Sequence, residues 1–595
     1  MQDWIRGVNI GGWLVLERFI TPYLFAITDC HVTGNFCYYP GQVDAPPHSN
    51  EKYCDLFKCK PHRFPSVSGA IDYPTDEYTL MQSFASPDIA RKYLDQHYEN
   101  FVTQDDVKTL HEHGVTHVRV PLGHWILGTD EENAPFVTAH GWLYLVRFVG
   151  WCREYKIQVW PDLHTAPGSQ NGFDNSGHLL PGNPTCHNWS SNQTLVQNTL
   201  NKLLRIAAQI RDDGLTDVIT GIGILNEPFV DCNRTVVRDY SRKALQGIRS
   251  ILGPDTSVYL GDMFNATKWN DGWWLNETNT FLDSHYYHVF AEEPRALSPR
   301  QHIAYVCRKN HRDTVSCCYE DAPKQTIPSE GISRIIGEWS ASFDTLVVAK
   351  LDTIMTSIAE HQVAIEMERE LSPDRKEFLR HFVEAQMVTY EAAALTGLSR
   401  GWFFWTLKTE GGAFAEWDFL RGLREGWIPS IPPSNVSSVD LYGTCEEIIM
   451  STKDDMSFVD IFPDPATLQH QANWQGVKID DDLVVSHGAS LNANHDHVSP
   501  APTPGFHQPY NSREKSKEVQ ASSNIILTTI PYSDLSSKPT ESVMKNNGSH
   551  HAFWFPLLAF LFFVIAVKIV FFRRHNLRNQ QYESIGSPRQ TTLIV

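Results

Sequence analysis

The sequence predicts an α/β protein built around a (β/α)8 barrel. Eight short apolar or β-branched runs recur over about 430 residues, and helical segments lie between them. Most of these runs are continuously apolar rather than alternating, which is typical of parallel strands covered on both faces. A doubly wound sheet would need a glycine-rich phosphate turn after its first strand, and "VNIGGW" lacks the G-x-G-x-x-G pattern. The barrel is therefore the favoured fold class.

The individual elements follow from the same patterns, in chain order. Helices are predicted over 141–155, 194–212 and 375–395, and the second of these has apolar residues at three- and four-residue steps. The eight predicted strands are 6–13, 116–123, 157–164, 220–227, 257–262, 280–288, 334–340 and 401–407.

Polar or aromatic residues stand near the ends of seven of these strands. In a (β/α)8 barrel the carboxyl ends of the strands form the functional face. Each residue alone has a structural explanation, because a buried arginine is often a core ion-pair partner and a lone histidine is often a satisfied core residue. Their coincidence at one rim favours a functional site. In strand order the residues are Glu17, Arg119, His164, Asn226 with Glu227, His285 with Tyr287, Glu338 and Trp405.

Two of these residues are carboxylates that end strands four and seven. Glu227 alone, in "GIGILNEPF" (221–229), is equally consistent with a solvated turn punctuated by Pro228. Together with Glu338 it forms a pair that faces across the barrel mouth. Glycoside hydrolysis needs such a pair, with a separation of about 5–5.5 Å for retention and about 6.5–9.5 Å for inversion.

Composition excludes one large class of partners. The chain has 595 residues, a formal net charge of -19 and 12% aromatic residues, including 17 Trp. Nucleic-acid binding needs clustered Lys and Arg, so this charge argues against it. A neutral, flat ligand such as a sugar is compatible with both properties.

The cysteines and glycosylation sequons indicate an oxidising compartment. All 11 Cys precede residue 446, and the irregular spacing of Cys30, Cys37, Cys54 and Cys59 favours disulfides over zinc. The odd count leaves at least one thiol unpaired within the chain, and the partners of the adjacent Cys317 and Cys318 stay open. Seven N-x-[ST] sequons precede the apolar C-terminal segment: Asn188, Asn192, Asn233, Asn265, Asn276, Asn435 and Asn547.

The C-terminal part of the chain predicts a single membrane anchor. Residues 486–552 have the composition of a flexible stalk, and 553–572 have the length and apolar character of a transmembrane helix. Arginines follow in the tail, 573–595, which places the tail in the cytoplasm and the body outside the cell. The opening "MQDWIRGVNIGGW" does not have the pattern of a signal peptide. We therefore expect the true N-terminus to precede Met1.

At this point the motifs resemble a known family. The matching segments are "RGVNIGGWLVLERFITPYLF" (6–25), "DLHTAPGSQNGFDNSG" (162–177), "GILNEPF" (223–229), "DSHYYHVF" (283–290), "IGEWSAS" (336–342) and "GWFFWTLKTE" (401–410). In this order they resemble the exo-β-1,3-glucanases of glycoside hydrolase family 5. The resemblance covers about residues 5–430, and the first two motifs distinguish this subgroup from cellulases of the same family.

The resemblance implies a retaining double displacement on β-1,3-glucan that releases glucose from the non-reducing end. Glu227 would be the acid/base and Glu338 the nucleophile, with Asn226 bound to the sugar 2-hydroxyl. Arg119 and Tyr287 would lie beside Glu338, and Arg119 would keep it ionised. The pKa of Glu227 should be raised, so that it starts protonated. No metal ion or organic cofactor is required, and no protein partner is predicted.

The resemblance also implies the sugar contacts. Glu17, His164 and His285 would hydrogen-bond the terminal glucose, and Trp405 would form the floor beneath it. Phe173 and Phe290 would clamp the next sugar at the entrance, because apolar sugar faces stack on aromatic rings.

Some features depart from the family, and the domain limits take account of them. The catalytic domain is predicted as 1–432, with a cysteine-rich insertion at 26–72, and 433–485 is an extension of unknown role. Leu407 stands where the family usually has tryptophan, and Arg18 stands where it often has proline. Three readings of the function stay open: a hydrolase, a transglycosylase that remodels glucan, and a catalytically silent glucan-binding surface protein.

Overall fold

The computed structural model shows a closed barrel of eight parallel strands. The predicted stalk, transmembrane segment and cytoplasmic tail lie outside the described residues, and so do Cys30, Cys54, Cys59, Cys317 and Cys318. The described residues are 4–26, 31–33, 36–38, 60–61, 74–84, 86–128, 134–180, 184–186, 189–269, 277–290, 292–310, 333–343, 366–392 and 399–462.

All eight predicted strands are confirmed. β1 pairs with β5 on one side and with β11 on the other, which closes the barrel in the order β1, β5, β6, β7, β8, β9, β10, β11. The barrel strands are β1 (Ile5–Asn9), β5 (His117–Leu122), β6 (Gln158–Leu163), β7 (Gly221–Gly223), β8 (Ser257–Gly261), β9 (Thr280–Tyr286), β10 (Ser333–Trp339) and β11 (Ser399–Phe404).

The three predicted helices are also confirmed, at Gly141–Tyr155, Gln193–Asp212 and Pro373–Ala392. Asn192 caps the second of these helices, since its side chain accepts hydrogen bonds from the backbone N–H groups of Thr194 and Leu195. In chain order the α-helices are α1 (Pro22–Ala26), α2 (Glu77–Ser83), α3 (Pro87–Phe101), α4 (Gln104–Glu112), α5 (Gly141–Tyr155), α6 (Gln193–Asp212), α7 (Arg234–Leu252), α8 (Glu292–Arg295), α9 (Pro299–Tyr305), α10 (Pro373–Ala392), α11 (Phe419–Glu425), α12 (Ser438–Tyr442) and α13 (Cys445–Ser451).

The insertion at 26–72 contributes a small sheet in its described parts. β2 (His31–Thr33) pairs antiparallel with β3 (Phe36–Tyr38) and parallel with β4 (Lys60–Pro61). Where the chain re-enters the barrel, Asp76 pairs with Glu17 in an antiparallel bridge.

Two disulfides confirm the expectation of oxidised cysteines. Cys186–Cys232 joins the loop after β6 to the loop after β7. Cys307–Cys445 joins the π-helical turn after α9 to the start of α13. Cys152 is a buried free thiol on α5. The two bridges therefore connect segments that stand far apart in the chain.

The described part of the extension, 433–462, packs on the barrel. Arg6 of β1 donates hydrogen bonds to the backbone oxygens of Pro433 and Val436, at 2.9 and 2.7 Å. Ser438 at the start of α12 donates its N–H to Glu391, which also pairs with Arg6. No helix among the described residues combines the length and apolar character needed to cross a bilayer.

Candidate active site

Side chains inside the barrel form layers of different chemistry. The layer near the amino ends of the strands is apolar and aromatic: Ile5, Trp160, Tyr259, Phe281, Ile335 and Phe403. Residues point inward at steps of two along a strand. The next inward positions on β6 and β9 are therefore Asp162 and Asp283, followed by His164 and His285. The polar layers thus lie at the carboxyl ends of the strands.

Arg119 is the centre of the polar layer. Its Nη1 donates to Asn9 Oδ1 at 2.8 Å and to Glu338 Oε1 at 2.9 Å. Its Nη2 donates to Asp162 Oδ2 at 3.1 Å and to Asn226 Oδ1 at 2.7 Å. The guanidinium is fully buried and is held by groups from four strands or strand ends. Arg119 thereby fixes the positions of Glu338 and Asn226 relative to each other.

Glu338 is aimed into the barrel by an irregularity in β10. The register against β9 shifts between Ile336 and Glu338, and Gly337 is the residue between them. A Cβ atom on Gly337 would lie 2.0 Å from Asp283 Oδ1, so only glycine fits there. The two carboxylate oxygens of Glu338 accept hydrogen bonds from Arg119 and from the hydroxyl of Tyr287, the latter at 2.8 Å.

Glu227 sits on a constrained turn directly after β7. Its backbone φ is 44°, in the left-handed region that a non-glycine residue rarely adopts. Pro228 follows, so the chain cannot continue as a central strand. The Oε2 atom accepts a hydrogen bond of 2.8 Å from Asn175 Nδ2. The turn therefore projects the carboxylate toward Glu338.

His285 lies between the two carboxylates. Its Nδ1 is 2.7 Å from Glu227 Oε1 and 3.4 Å from Glu338 Oε2, and its Nε2 is 3.3 Å from Asp283 Oδ2. Burial lowers the pKa of His285, but the charges of Glu338 and Asp283 and the hydrogen bonds outweigh burial and raise the pKa well above its ordinary value. The two neighbouring carboxylates therefore favour the protonated form of His285.

The pKa values of the two carboxyl groups are shifted in the directions opposite to those expected. Burial raises the pKa of Glu227, but the hydrogen bond and charge of His285 outweigh burial, and the pKa ends below its ordinary value. Burial also raises the pKa of Glu338, and His285 and Arg119 offset only part of that effect. The predicted rise in the pKa of Glu227 is therefore wrong, because the hydrogen bond and charge of His285 outweigh burial, and the pKa of Glu338 is raised although Arg119 lies beside it.

A further acidic group borders the site. Glu17 is buried, and its Oε1 has no hydrogen-bond partner among the described residues. Burial raises the pKa of Glu17 well above its ordinary value, and Asp174, Glu338 and Glu227 raise it further. Burial and the charge of Asp76 raise the pKa of Asp174 to about 6. A hydroxyl donor from a ligand would satisfy the unpaired oxygen of Glu17.

The predicted floor is a stacked pair of rings. The Trp405 ring lies 5.8 Å from that of His164 with an interplanar angle of 11°. His164 Nδ1 is 3.1 Å from Asp162 Oδ2, and its Nε2 is 3.4 Å from Asn226 Nδ2. The peptide bond between Trp405 and Thr406 is cis. His164 thus connects the Trp405 ring to Asp162 and Asn226, which both accept hydrogen bonds from Arg119.

The two predicted entrance residues belong to different aromatic clusters. Phe173 contacts Phe229 and Phe264, with ring centroids 5.8 and 6.4 Å away. Phe290 is 65% exposed and contacts Tyr287 and Trp417, at 5.4 and 6.2 Å. The first cluster comes from the loops after β6, β7 and β8, and the second comes from the loops after β9 and β11.

The predicted site residues therefore lie in the polar layers of the barrel or in the loops that follow its strands, but sequence reasoning missed several of their partners. Asp162 and Asp283 precede His164 and His285 by two residues, so "DLH" and "DSH" show the same inward-facing Asp-x-His step. That repeated step is the signal that could have identified both aspartates. Other missed residues carry no such signal: Asn9, Asp174, Asn175, Phe229, Phe264 and Trp417.

The carboxylate pair and His285 also have the composition of a metal site. One oxygen from each of Glu227 and Glu338 and one nitrogen of His285 lie within 4.8 Å of one another. The donor set is poorly suited to a cation, because a guanidinium and a phenol hydroxyl already bind the oxygens of Glu338. The same atoms are suited to proton transfer, since the pKa values of all three groups are shifted.

Comparisons with known proteins identify the family of the chain. Residues 82–365 match the model of the cellulase family, glycosyl hydrolase family 5. A probable glucan 1,3-beta-glucosidase A of Aspergillus clavatus is 30% identical over 444 residues, which cover 72% of this chain and 88% of that protein. A glucan 1,3-beta-glucosidase of Kluyveromyces lactis is 28% identical, with 71% and 88% covered. Among solved structures, a rutinosidase from Aspergillus niger matches with a TM-score of 0.49, 18% identity, and coverage of 72% and 98%.

Proposed function

Because the chain belongs to glycoside hydrolase family 5, where its relatives are glucan 1,3-β-glucosidases, we propose that it hydrolyses β-1,3-glucan from the non-reducing end with retention of configuration. The family makes the chain a glycoside hydrolase that acts on β-glucan. The exo mode, the stereochemistry and the residue roles are the proposed part.

The facing carboxylates carry the proposal. Their nearest oxygens lie within 4.8 Å, a separation that favours the retaining mechanism, for which carboxyl groups stand about 5–5.5 Å apart. An inverting enzyme needs about 6.5–9.5 Å, because a water molecule must fit between the base and the sugar. Glu338 therefore attacks the anomeric carbon, and Glu227 protonates the leaving oxygen.

The proton reaches Glu227 from His285. The 2.7 Å contact between His285 Nδ1 and Glu227 Oε1 allows the proton to move along one hydrogen bond. Glu227 then donates it to the glycosidic oxygen as that bond breaks. In the second step Glu227 removes a proton from water, and the water oxygen displaces Glu338 from the glucosyl carbon. Arg119 and Tyr287 stabilise the Glu338 carboxylate when it departs.

Exo action is supported by the polar groups around the floor. Glu17 presents an unpaired buried oxygen, and Asp174 is a neighbouring acid with a raised pKa. Such groups bind the hydroxyls of a terminal glucose, while Trp405 lies beneath its apolar face. Asn226 is held by Arg119 at 2.7 Å and offers its amide to the 2-hydroxyl.

A transglycosylase is the second candidate, because the Phe173 and Phe290 clusters provide aromatic surface where an acceptor sugar would bind. The silent glucan-binding protein is less favoured, since both carboxylates are present, Arg119 holds Glu338 and Asn226, and Asn175 holds Glu227. We further propose that the enzyme acts outside the cell in glucan or cell-wall metabolism, held at the membrane by 553–572.

The proposal is tested by following the anomeric form of the product. The full chain, secreted with an added signal peptide, is incubated with a soluble β-1,3-glucan, and glucose release is monitored by NMR alongside Glu338→Gln. We expect β-glucose first and no release by the variant. Early α-glucose would contradict retention, and longer oligosaccharides would indicate transglycosylation. Binding without turnover would support the silent protein.

A further inference from the structure

Residues 460 and 461 of the extension, to which the sequence assigned no role, pack against the turn before α10. Ile461 forms an antiparallel bridge with Glu370, with N···O distances of 2.9 and 3.0 Å. Next to it, Asp460 Oδ1 accepts a hydrogen bond of 2.9 Å from the backbone N–H of Ser372. Asp460 is therefore held in a fixed place by contacts on both sides.

Asp460 belongs to a buried ion cluster. Its Oδ2 lies 2.9 Å from Arg375 Nε and 3.7 Å from Arg369 Nη1. The same arginines reach Glu416, where Arg369 Nη2 is 2.6 Å from Oε2 and Arg375 Nη1 is 3.1 Å from Oε1. Glu366 lies 3.4 Å from Arg369. All five side chains are about 1% exposed.

Because the cluster is buried, a gain in stability does not by itself explain why it is there. Taking several charges out of water costs several kcal/mol per ion, which is recovered only when the geometry is well defined. Such a cluster fixes the relative positions of the segments that contribute to it. Here these segments are the extension, the start of α10 with the turn before it, and the loop after β11.

The loop after β11 connects the ion cluster to the carboxyl ends of the barrel strands, where the proposed catalytic residues lie. The backbone oxygen of Glu416 accepts the N–H of Ala341, which stands three residues after Glu338, at 3.1 Å. The next residue, Trp417, accepts the N–H of Thr406 at 2.8 Å, beside the floor residue Trp405. Its ring centroid lies 5.3 Å from that of Tyr287.

We infer that Asp460 is a positioning residue of the active site, which acts through Arg375 and Glu416 to hold Trp417 against Tyr287. Tyr287 then presents its hydroxyl to Glu338 at 2.8 Å. The inference rests on the proposed function, in which Glu338 is the nucleophile. It assigns a role to the extension: the catalytic unit is incomplete without residues beyond 432.

The test compares two Asp→Asn variants of the full chain. Asp460→Asn removes the buried charge with little change of shape. Asp454→Asn is the matched control in the same segment, because Asp454 is 51% exposed and pairs with Arg300 at 3.5 Å. For both variants, kcat and KM on an aryl β-glucoside are measured against pH, together with the thermal midpoint.

A displaced Tyr287 hydroxyl stabilises the Glu338 carboxylate less, so the pKa of Glu338 rises. For Asp460→Asn we therefore expect a loss of about tenfold in kcat, little change in KM, and an acid limb that moves to higher pH. The other charged or titratable groups near Glu338 are not substituted, namely Arg119, His285, Glu227, His164 and Glu17. Asp454→Asn should match the unsubstituted enzyme in kcat, in KM and in the position of the acid limb.

A lowered thermal midpoint with an unchanged pH profile and kcat would overturn the inference, because that result describes a structural role only. If Asp460→Asn does not fold, Arg375→Lys decides by the same criteria, since it keeps the cation but cannot reach both carboxylates. Failure of both to fold also overturns the inference. An unsubstituted chain without glucanase activity would instead refute the proposed function, which separates the two failures.

Discussion

The two ends of the barrel interior are built from the same strands and have opposite chemistry. On β6, Trp160 fills the apolar layer, and two residues later Asp162 joins Arg119. On β9, Phe281 packs in the same layer, and Asp283 stands at the corresponding polar position, 3.9 Å from Arg119. The distance along the strand therefore decides whether an inward side chain supports the fold or the chemistry.

The two layers also differ in cost. The apolar layer is removed from water at a gain of roughly 25 cal/mol per Å² of apolar surface. The polar layer buries Arg119 with several carboxylates, which is costly unless each charge is paired. This difference predicts that substitutions in the polar (upper) layer mainly change kcat. Substitutions in the apolar (lower) layer mainly change the free energy of unfolding.

The largest expected effect is in the upper layer. Glu338→Gln removes the nucleophile and should lower kcat by at least about 10³-fold, because an amide cannot form the glucosyl ester. The variant should still unfold cooperatively, as followed by circular dichroism. A folded Glu338→Gln protein with more than about 10% of the normal rate would refute its role as nucleophile.

Glu227→Gln should have an effect that depends on the leaving group. General acid catalysis is worth about 10²–10⁴-fold, but a nitrophenolate leaves without a proton. We expect a large loss of kcat/KM on laminari-oligosaccharides and a much smaller loss on a nitrophenyl glucoside, where added azide should restore deglycosylation. Equal losses on both substrates would contradict the assignment of Glu227 as the acid.

In the lower layer, Phe403→Ala should lower the free energy of unfolding by about 3–5 kcal/mol, because it leaves a cavity in the packed barrel. The rate of the folded protein should change little at temperatures well below the midpoint. Denaturant unfolding measures the first quantity. Leu143→Ala is the control, since Leu143 is 64% exposed and its truncation should cost almost nothing.

His285→Asn should narrow the pH range of activity. In the unsubstituted enzyme the pKa of His285 is raised well above its ordinary value and that of Glu227 is lowered, so the proposed mechanism places the shared proton on His285. Asn cannot hold that proton, so Glu227 must, and a carboxyl group loses it at lower pH than an imidazolium does. The alkaline limb of kcat/KM therefore moves to lower pH.

His285→Asn should also move the acid limb of the kcat/KM profile to higher pH. Glu338 loses a cationic neighbour that lowers its pKa, so ionisation of the nucleophile needs a higher pH. The profile of kcat/KM against pH measures both limbs at once. An alkaline limb that stays in place would show that His285 does not carry the catalytic proton.

The sequence by itself determined the eight strands, the barrel class and the pair of Glu227 and Glu338. These follow from local periodicity, and from the rule that the carboxyl ends of parallel strands meet at one face. The family resemblance extended this to the sugar contacts, which stay a prediction.

Only the tertiary structure decided which groups share a proton and which segments support the rim. Glu227 and His285 are 58 residues apart in the chain but are in contact in the fold. Arg375 and Asp460 are likewise distant in the chain and in contact in the fold. A pKa depends on burial and on charges within a few ångströms, so the direction for Glu227 required the position of His285. Sequence periodicity describes one element at a time, whereas these contacts exist only after distant elements pack together.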